Sequence, residues 1–205
     1  PMRYEILTLT VRLGGLPAAV AGIDAWTKAP EARGTLFGCW SSEVGTLNRI
    51  VVLRGFADDA EMHAERMRLL AATSPFEAGD AVTAMEFEAH APFPWCPPPV
   101  PGAYGRVWEM RTYRLKPGGL APTIAAWEAA MPTRGAVSPL ALVSHALDGA
   151  PRFTHFWPYA SFDDRFDKRA RAVAEGVWPP VGGPQWLTGD MVSTLLLPTA
   201  ISPLR

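Results

Sequence analysis

The sequence of this chain repeats itself after about one hundred residues, and this repeat constrains the fold more than any other feature. The spacing is 104 in the opening strand and glycine turn (109 − 5 = 104) and 103 in the later elements (169 − 66 = 103). Two related copies in one chain predict two similar structural units. The matched positions are Glu5 with Glu109, Thr8 with Thr112, Gly14 with Gly118, Gly15 with Gly119, Leu16 with Leu120, Gly45 with Gly149, Arg66 with Arg169 and Arg68 with Arg171.

Each copy has the pattern strand, helix, strand, strand, helix, strand. In the first copy the outer strands are expected at residues 3–12 and 80–89, and a hairpin is expected at residues 39–44 and 50–56. A βαββαβ unit is a ferredoxin-like fold, so we predict an α+β protein made of two ferredoxin-like domains. The strands of the second copy are expected at residues 107–115, 140–146, 152–159 and 189–197.

The second helix of each copy is predicted from its N-terminal cap. Asp58 and Glu61 form a capping box, and Ser161 caps the corresponding helix of the second copy. We expect an apolar face of each helix to pack on the sheet, with charged residues such as Glu65 and Arg68 in solvent. The predicted packing faces are Ala60, Ala64, Met67 and Ala71 in the first copy, and Phe162, Phe166, Ala170 and Val173 in the second.

A proline-rich stretch, FPWCPPPVPGAY at residues 93–104, separates the copies. Proline lacks an amide donor, so this stretch is predicted to be a stiff extended linker. The predicted domains are residues 2–91 and 106–200, joined by a linker at residues 92–105. Pro1, which precedes Met2, is interpreted as a residue left by cloning rather than as a catalytic amino-terminal base.

The composition excludes several classes of function. The 205 residues carry 19 basic and 20 acidic side chains, which leaves no basic face for nucleic acid. No apolar run approaches the roughly 20 residues that span a bilayer, so we expect a cytoplasmic protein. Cys39 and Cys96 lie far apart, and no phosphate loop, nucleophile elbow or His-Glu-x-x-His motif is present. Nucleotide-dependent enzymes and ordinary hydrolases therefore have no support.

Polar and aromatic side chains concentrate on two strands of the second copy. Side chains alternate along a strand, so every second residue lies on one face. The two strands are neighbours in a βαββαβ sheet, and their faces are expected to meet in one aromatic-walled site. The residues are Glu109, Arg111 and Tyr113 on the first strand, and Phe153, His155 and Trp157 on the third.

These residue types suit general acid–base catalysis. His155 is predicted to act as the acid or base, Arg111 to hold an anionic or enolate oxygen, and Tyr113 and Glu109 to assist. The alternative is that Glu109 and Arg111 form an ion pair across the interface between the copies. In that case His155 is an interior histidine with satisfied hydrogen bonds.

The remaining candidate residues are expected to line the ligand-binding site. His145, on the strand beside His155, could join it and Glu109 around the ligand or a metal, but the spacing matches no metal motif and no metal is assigned. Trp178 and Trp186 lie in a loop rich in glycine and proline, which is typical of a lid. The predicted ligand-binding residues are Trp157, His145, Phe153, Trp127, Trp178 and Trp186.

Several motifs resemble those of the NIPSNAP family: GCWSSEVGTLNRIVVL with the following Arg-bearing helix, and WEMRTYRLKPG with HFWPY. The resemblance covers nearly the whole chain as two copies. It implies that two ferredoxin-like halves pair their sheets into a dimeric α+β barrel, here within one chain. It implies no particular reaction, because the superfamily includes cofactor-free oxygenases, isomerases, dehydratases and binding proteins. Val52 and Arg54 replace His155 and Trp157 in the first copy, so the site is expected in the second.

The sequence thus predicts a small-molecule protein that uses no cofactor. We expect an enzyme of the oxygenase, isomerase or lyase type that acts on a hydrophobic aromatic or polyketide-like compound. The alternative is a non-catalytic ligand-binding or protein-interaction module, in which the polar cluster is consumed by ion pairs. A homodimer formed through exposed helices or sheet edges is compatible with either.

Overall fold

The computed structural model describes residues 2–205, so Pro1 and its interpretation lie outside the described residues. Each half contains four strands and two helices, in the predicted order. The first half comprises β1 (Arg3–Val11), α1 (Leu16–Lys28), β2 (Thr35–Val44), β3 (Arg49–Phe56), α2 (Asp59–Ala71) and β4 (Val82–Pro92). The second comprises β5 (Val107–Leu115), α3 (Leu120–Val137), β6 (Leu142–Ala146), β7 (Arg152–Tyr159), α4 (Phe162–Ala174) and β8 (Leu187–Pro198).

The eight strands form one closed antiparallel barrel in the order β1-β3-β2-β8-β5-β7-β6-β4. The two halves join twice, where β2 pairs with β8 and where β4 pairs with β6. Neither half leaves a free sheet edge at these joints. The predicted fold is therefore confirmed: two ferredoxin-like βαββαβ units form an α+β barrel within one chain.

Side chains along each strand point alternately into the barrel and outwards towards the helices, so the protein has an inner and an outer layer of side chains. Inside the barrel, the Trp40 ring lies 5.3 Å from Trp108 and 5.4 Å from Phe156, between ring centroids, and residues of both halves share this apolar cluster. The neighbouring positions, such as Glu109 and Trp157, point out of the barrel towards the helices. The predicted site residues therefore lie between the barrel and the helices of the second half.

The predicted caps are present. The Asp58 side chain accepts a hydrogen bond from the Glu61 amide at 2.8 Å, and Glu61 accepts one from the Ala57 amide. The Ser161 hydroxyl accepts a hydrogen bond from the Asp164 amide at 3.0 Å. These bonds satisfy amides that have no partner within the helix and fix where α2 and α4 begin.

The predicted packing face of α2 is wrong. Met67 is 48% exposed, whereas Leu69 is fully buried and the Glu65 carboxylate, expected in solvent, is buried as well. The residues that face solvent are Ala60, Ala64, Met67 and Ala71, the predicted packing face.

Buried charges on the sheet explain this orientation. Arg54 on β3 donates to Glu5 on β1 and, across 3.3 Å, to Glu65 on α2. Arg66 on the same helix donates to Glu5 across 2.9 Å. Buried charges are strongly unfavourable unless they are paired, so α2 turns its charged side towards the sheet.

The predicted packing face of α4 is wrong for the same reason. Phe166 and Val173 are each 62% exposed, and Phe162 and Ala170 also face solvent. The side of α4 that faces the sheet carries Arg165, which pairs with a buried carboxylate on β5.

The connection between the halves runs beside the C-terminal tail, where Gly102 forms a bridge with Leu204. β4 ends at Pro92, inside the predicted linker, and the domain boundaries stay a prediction. None of the helices in residues 2–205 is long and apolar enough to cross a membrane.

Candidate functional site

The predicted faces of β5 and β7 meet, because these strands are direct neighbours. Helices α3 and α4 cover this part of the sheet, so the predicted residues share one buried layer. In the strand register, Glu109 lies opposite Trp157, Arg111 opposite His155, and Tyr113 opposite Phe153.

Glu109 is the fully buried carboxylate of this layer. Its Oε2 accepts hydrogen bonds from Arg111 at 2.8 Å, Arg165 at 2.6 Å and Ser193 at 2.5 Å. Burial alone would raise the pKa of Glu109, but the hydrogen bonds of Arg165 and Ser193 and the neighbouring positive charges lower it to about 2. Glu109 therefore stays ionised and orients the arginines. Glu109 and Arg111 thus form the ion pair of the alternative interpretation, but they do so within β5 and not across the interface between the copies.

Arg111 and Tyr113 form the polar wall of a pocket of about 160 Å³. The Arg111 Nε donates to the Tyr113 hydroxyl across 2.6 Å. Burial acts to lower the pKa of Arg111, but Tyr113 and Glu109 outweigh it and raise that pKa above its ordinary value. We call this space the second-half pocket; it is lined by Arg111, Tyr113, Thr123, Trp127, Phe153, Arg169, Trp178, Pro179, Pro180, Gly183, Pro184, Leu187 and Met191.

His155 lies beneath the second-half pocket rather than in its wall. It is 1% exposed, and the rings of Tyr113 and Trp127 pack against the imidazole at 4.8 and 4.7 Å. The Trp157 indole donates to Nδ1 across 2.6 Å, so the proton of the neutral ring lies on Nε2. Burial, together with positive charges including Arg111, holds the pKa of His155 well below its ordinary value. The side chains that can form polar contacts with a ligand in this pocket are therefore those of its wall: Arg111, Tyr113, Thr123 and Arg169.

The aromatic candidates divide into two groups. The rings of Trp127 and Trp178 meet edge to face at 4.8 Å, and both line the second-half pocket, as Phe153 does. Trp157 lies deeper, where it hydrogen-bonds His155. His145 lies beside Phe93, and Trp186 lies beside Gly119 at the start of α3; neither lines the pocket.

The first half offers an internal comparison for the charges of this layer. Glu5 takes the place of Glu109 and pairs with Arg54 and Arg66. Glu65 supplies a second buried carboxylate, which pairs with Arg54 and Arg68. Positive and negative charges are thus closely matched beneath α2.

The charges of the second half are not matched in this way. Lys168 stands at the position of Glu65 (65 + 103 = 168), so the second half lacks the second carboxylate. Within residues 2–205, Glu109 is the only acidic residue buried between the second-half strands and their helices. This excess of positive charge favours an anionic ligand. The cations are Arg111, Arg134, Arg165 and Arg169.

The sequence analysis missed Arg134, Arg165, Ser193 and Thr123. Arg134 follows Trp127 by seven residues on α3, a spacing that places both on one helix face and could have identified it. Ser193 lies opposite Arg111 on β8, which only the closed strand order reveals. Arg165 was missed because the apolar face of α4, and not its charged side, was expected to pack on the sheet.

A larger cavity of about 580 Å³ lies between the linker and the end of α3. Its walls are mostly apolar and rich in proline, and none of the predicted site residues lines it. We therefore place the candidate site by its chemistry rather than by cavity size. Among residues 2–205, no group of three or more His, Cys, Asp and Glu side chains is arranged to hold a metal ion.

Comparison with known proteins gives consistent matches. The sequence profile of the NIPSNAP family matches residues 4–97 and again residues 108–203. "Protein NipSnap homolog" of Dictyostelium discoideum is 26% identical over 182 residues, which cover 85% of this chain and 77% of the relative. An "anthrone oxidase-like protein" of known structure aligns with a TM-score of 0.67 over 97% of this chain and 94% of its own. Its sequence identity of 11% means that the likeness concerns the fold alone.

Proposed function

Because this chain belongs to the NIPSNAP family and joins two of its domains into one barrel, we propose that it acts on a hydrophobic aromatic or polyketide-like molecule without an organic cofactor. The proposed place of reaction is the second-half pocket. One observation carries the proposal: the Arg111–Tyr113 pair lines a pocket that also contains the aromatic rings of Trp127, Phe153 and Trp178 and a second cation, Arg169.

Arg111 is the group that would stabilise developing negative charge. A ketone or phenol oxygen that becomes anionic when the substrate loses a proton would bind the guanidinium and the Tyr113 hydroxyl. Glu109 holds Arg111 in position, since the two side chains are 2.8 Å apart. His155 acts as a positioning residue, because the Tyr113 ring packs on its imidazole.

Oxidation by molecular oxygen is the reaction we propose first. In an anthrone-type ketone, the ring methylene loses a proton to water, because no imidazole or carboxylate of residues 2–205 lines the pocket, and the negative charge moves to the ketone oxygen, which Arg111 holds. The carbanion then reduces O₂ by forming a C–O bond, and the resulting peroxide takes up a proton from water. Loss of water from this hydroperoxide, with cleavage of its O–O bond and the remaining C–H bond, leaves the second ketone, so anthrone and O₂ give anthraquinone and water. One fold relative is described as anthrone oxidase-like, which supports this choice of test substrate.

The size of the second-half pocket limits the substrate. At about 160 Å³ it is smaller than the roughly 300–1,000 Å³ of most ligand sites, and it accepts about one ring. Part of its wall is the loop between α4 and β8, which contributes Trp178, Pro180 and Gly183. A three-ring substrate would require this loop to move, as lids commonly do.

A ligand carrier is the second candidate. No imidazole or carboxylate belongs to the wall of the second-half pocket, so a carrier that binds without turnover fits the same residues. The two candidates differ in one observable, which is product formation.

Oxygen uptake and absorbance with anthrone and with single-ring phenols test the proposal. Arg111→Gln is expected to lower kcat/KM about 100-fold or more, and Tyr113→Phe at least tenfold. Arg114→Gln is the matched control, because Arg114 lies on the same strand, is exposed and pairs with Asp190. Equal activity in Arg111→Gln and Arg114→Gln would overturn the proposed site. Tight binding without product would favour the carrier.

A further inference from the structure

Arg134 is a buried cation without a counter-ion. It lies in the last turn of α3 and is 1% exposed. Its Nε and Nη1 are buried and have no hydrogen-bond partner. The ion pairs of Glu109 go to Arg111, Arg165 and Arg169, and no carboxylate in the described part of the chain pairs with Arg134.

Aromatic rings are its main contacts. The guanidinium carbon lies 4.4 Å from the centre of the Trp157 ring and 5.3 Å from that of Trp178. Cation–π contacts of this kind offset only part of the desolvation free energy of a buried guanidinium. Burial lowers the pKa of Arg134 from its ordinary value, although the nearby Tyr159 hydroxyl and Glu109 carboxylate act to raise it. Arg134 therefore costs stability in the unliganded protein.

The internal repeat shows that the fold does not need this residue. Helix α1 has 13 residues and α3 has 18, and Arg134 lies in the part that α3 adds. The corresponding position of the first half is Pro30, beyond the end of α1 (134 − 104 = 30). The buried arginine of the first half, Arg54, has two carboxylate partners instead.

Unpartnered polar atoms accompany Arg134 in the same layer. Most of the buried side-chain atoms that lack a hydrogen-bond partner belong to the second half, and the layer around Glu109 contains few groups that could satisfy them from within. These atoms are Glu109 Oε1, Thr123 Oγ1, Arg134 Nε and Nη1, Ser138 Oγ, His155 Nε2, Tyr159 OH and Arg165 Nε.

We infer that the natural ligand is an aromatic anion whose carboxylate or phenolate is bound by Arg134, with its ring against Trp127 and Trp178. The Trp178 ring lines the second-half pocket and also covers Arg134, so its displacement would connect the two. The Tyr159 hydroxyl lies beside Arg134 and could donate a hydrogen bond to the same anion. This inference rests on the proposed function for the location of the ligand, and it adds the charge of the ligand and the residue that recognises it.

Matched acids and amides test the inference. We would titrate benzoate, 2-naphthoate and the corresponding uncharged amides into the full chain and follow tryptophan fluorescence. The wild-type protein is expected to bind at least one acid tenfold or more tightly than its amide. In Arg134→Met this preference should disappear while the affinity for the amide stays the same. Arg171→Gln is the control, since Arg171 is exposed on α4 and pairs with Glu175.

Thermal unfolding gives a second, ligand-free readout. Arg134→Met keeps the volume but removes an unpaired buried charge, so its Tm should rise above that of the wild type. A preference for the acid that persists in Arg134→Met, a lower Tm, or no binding of either acid at millimolar concentration would overturn the inference. Failure of the proposed function is distinguishable: oxygen uptake would be absent while the Arg134-dependent preference remained.

Discussion

The indole of Trp157 donates to Nδ1 of His155 across 2.6 Å, and this hydrogen bond joins the two residues that distinguish the second half from the first. In the first half the same positions hold Arg54 and Val52, and Arg54 is consumed by two carboxylates. On β7 of the second half, Trp157 and His155 thus replace a paired cation and a valine with aromatic rings. Arg134 of α3 lies over the Trp157 ring.

The burial of His155 predicts a loss of stability in mild acid. Its pKa in the folded chain is lowered well below 6.5, so below pH 6.5 the unfolded chain binds a proton there and the folded chain does not. When the pH is lowered from 7.5 to 5.5, the free energy of unfolding of the wild type should therefore fall by about 1 kcal/mol more than that of His155→Gln. Urea unfolding at both pH values measures this difference. The same pH dependence in wild type and His155→Gln, or an equal change in the exposed control His63→Gln, would contradict the prediction.

Glu109 predicts a second acid transition at lower pH. Its pKa is lowered to about 2, so its contribution is complete above pH 4.5 and is lost as the pH falls towards 2. Glu109→Gln leaves Arg111 and Arg165 without their carboxylate and should cost about 3 kcal/mol at pH 7. Its stability should also depend less on pH between 4.5 and 2. The exposed Glu86→Gln on β4 is the control, and equal costs for both variants would refute the role given to Glu109.

The orientation of α2 is tested by two neighbouring residues. Leu69 is fully buried and Met67 is 48% exposed. Leu69→Ala should cost about 3 kcal/mol of unfolding free energy, whereas Met67→Ala should change it by less than about 0.5 kcal/mol. Denaturant unfolding of both variants is sufficient. The reverse order would mean that the apolar stripe packs on the sheet after all.

Lys168 tests the charge imbalance of the second half. Lys168→Glu restores the carboxylate that Glu65 supplies in the first half and should weaken 2-naphthoate binding about tenfold. Lys168→Gln removes one charge without adding another, and about a twofold loss is expected. The amide should bind all three proteins alike. Unchanged binding of the acid by Lys168→Glu would show that the excess charge does not select the ligand.

Much of the fold follows from the sequence because the repeat and the strand alternation can both be recognised from residue types alone. The 104-residue spacing of Glu5 and Glu109 predicts two copies, and the two-residue period predicts that Arg111 and His155 share a layer. The closure of the barrel rests on the resemblance to a family instead, since the pairing of β2 with β8 joins segments distant in the chain.

The orientation of the helices could not be read from hydrophobicity. An apolar stripe such as Phe162, Phe166 and Val173 ordinarily marks the buried face. Here the ion pair between the buried Glu109 and Arg165 of α4 stabilises the opposite orientation, and the apolar stripe faces solvent. Whether these exposed faces form the predicted homodimer stays a prediction. The spacing of Arg134 from Trp127 could have placed both on one face of α3, but the lack of a carboxylate partner for Arg134 depends on the fold and not on neighbouring sequence.

A crystal structure of the protein soaked with 2-naphthoate tests the central claim most directly. We predict that Trp178 moves away from Trp127 and that density for the ring lies against both indoles, with the carboxylate within hydrogen-bond distance of Arg134. Density confined to the larger cavity beside the linker, or no density in the second half at concentrations that saturate binding in solution, would contradict the claim.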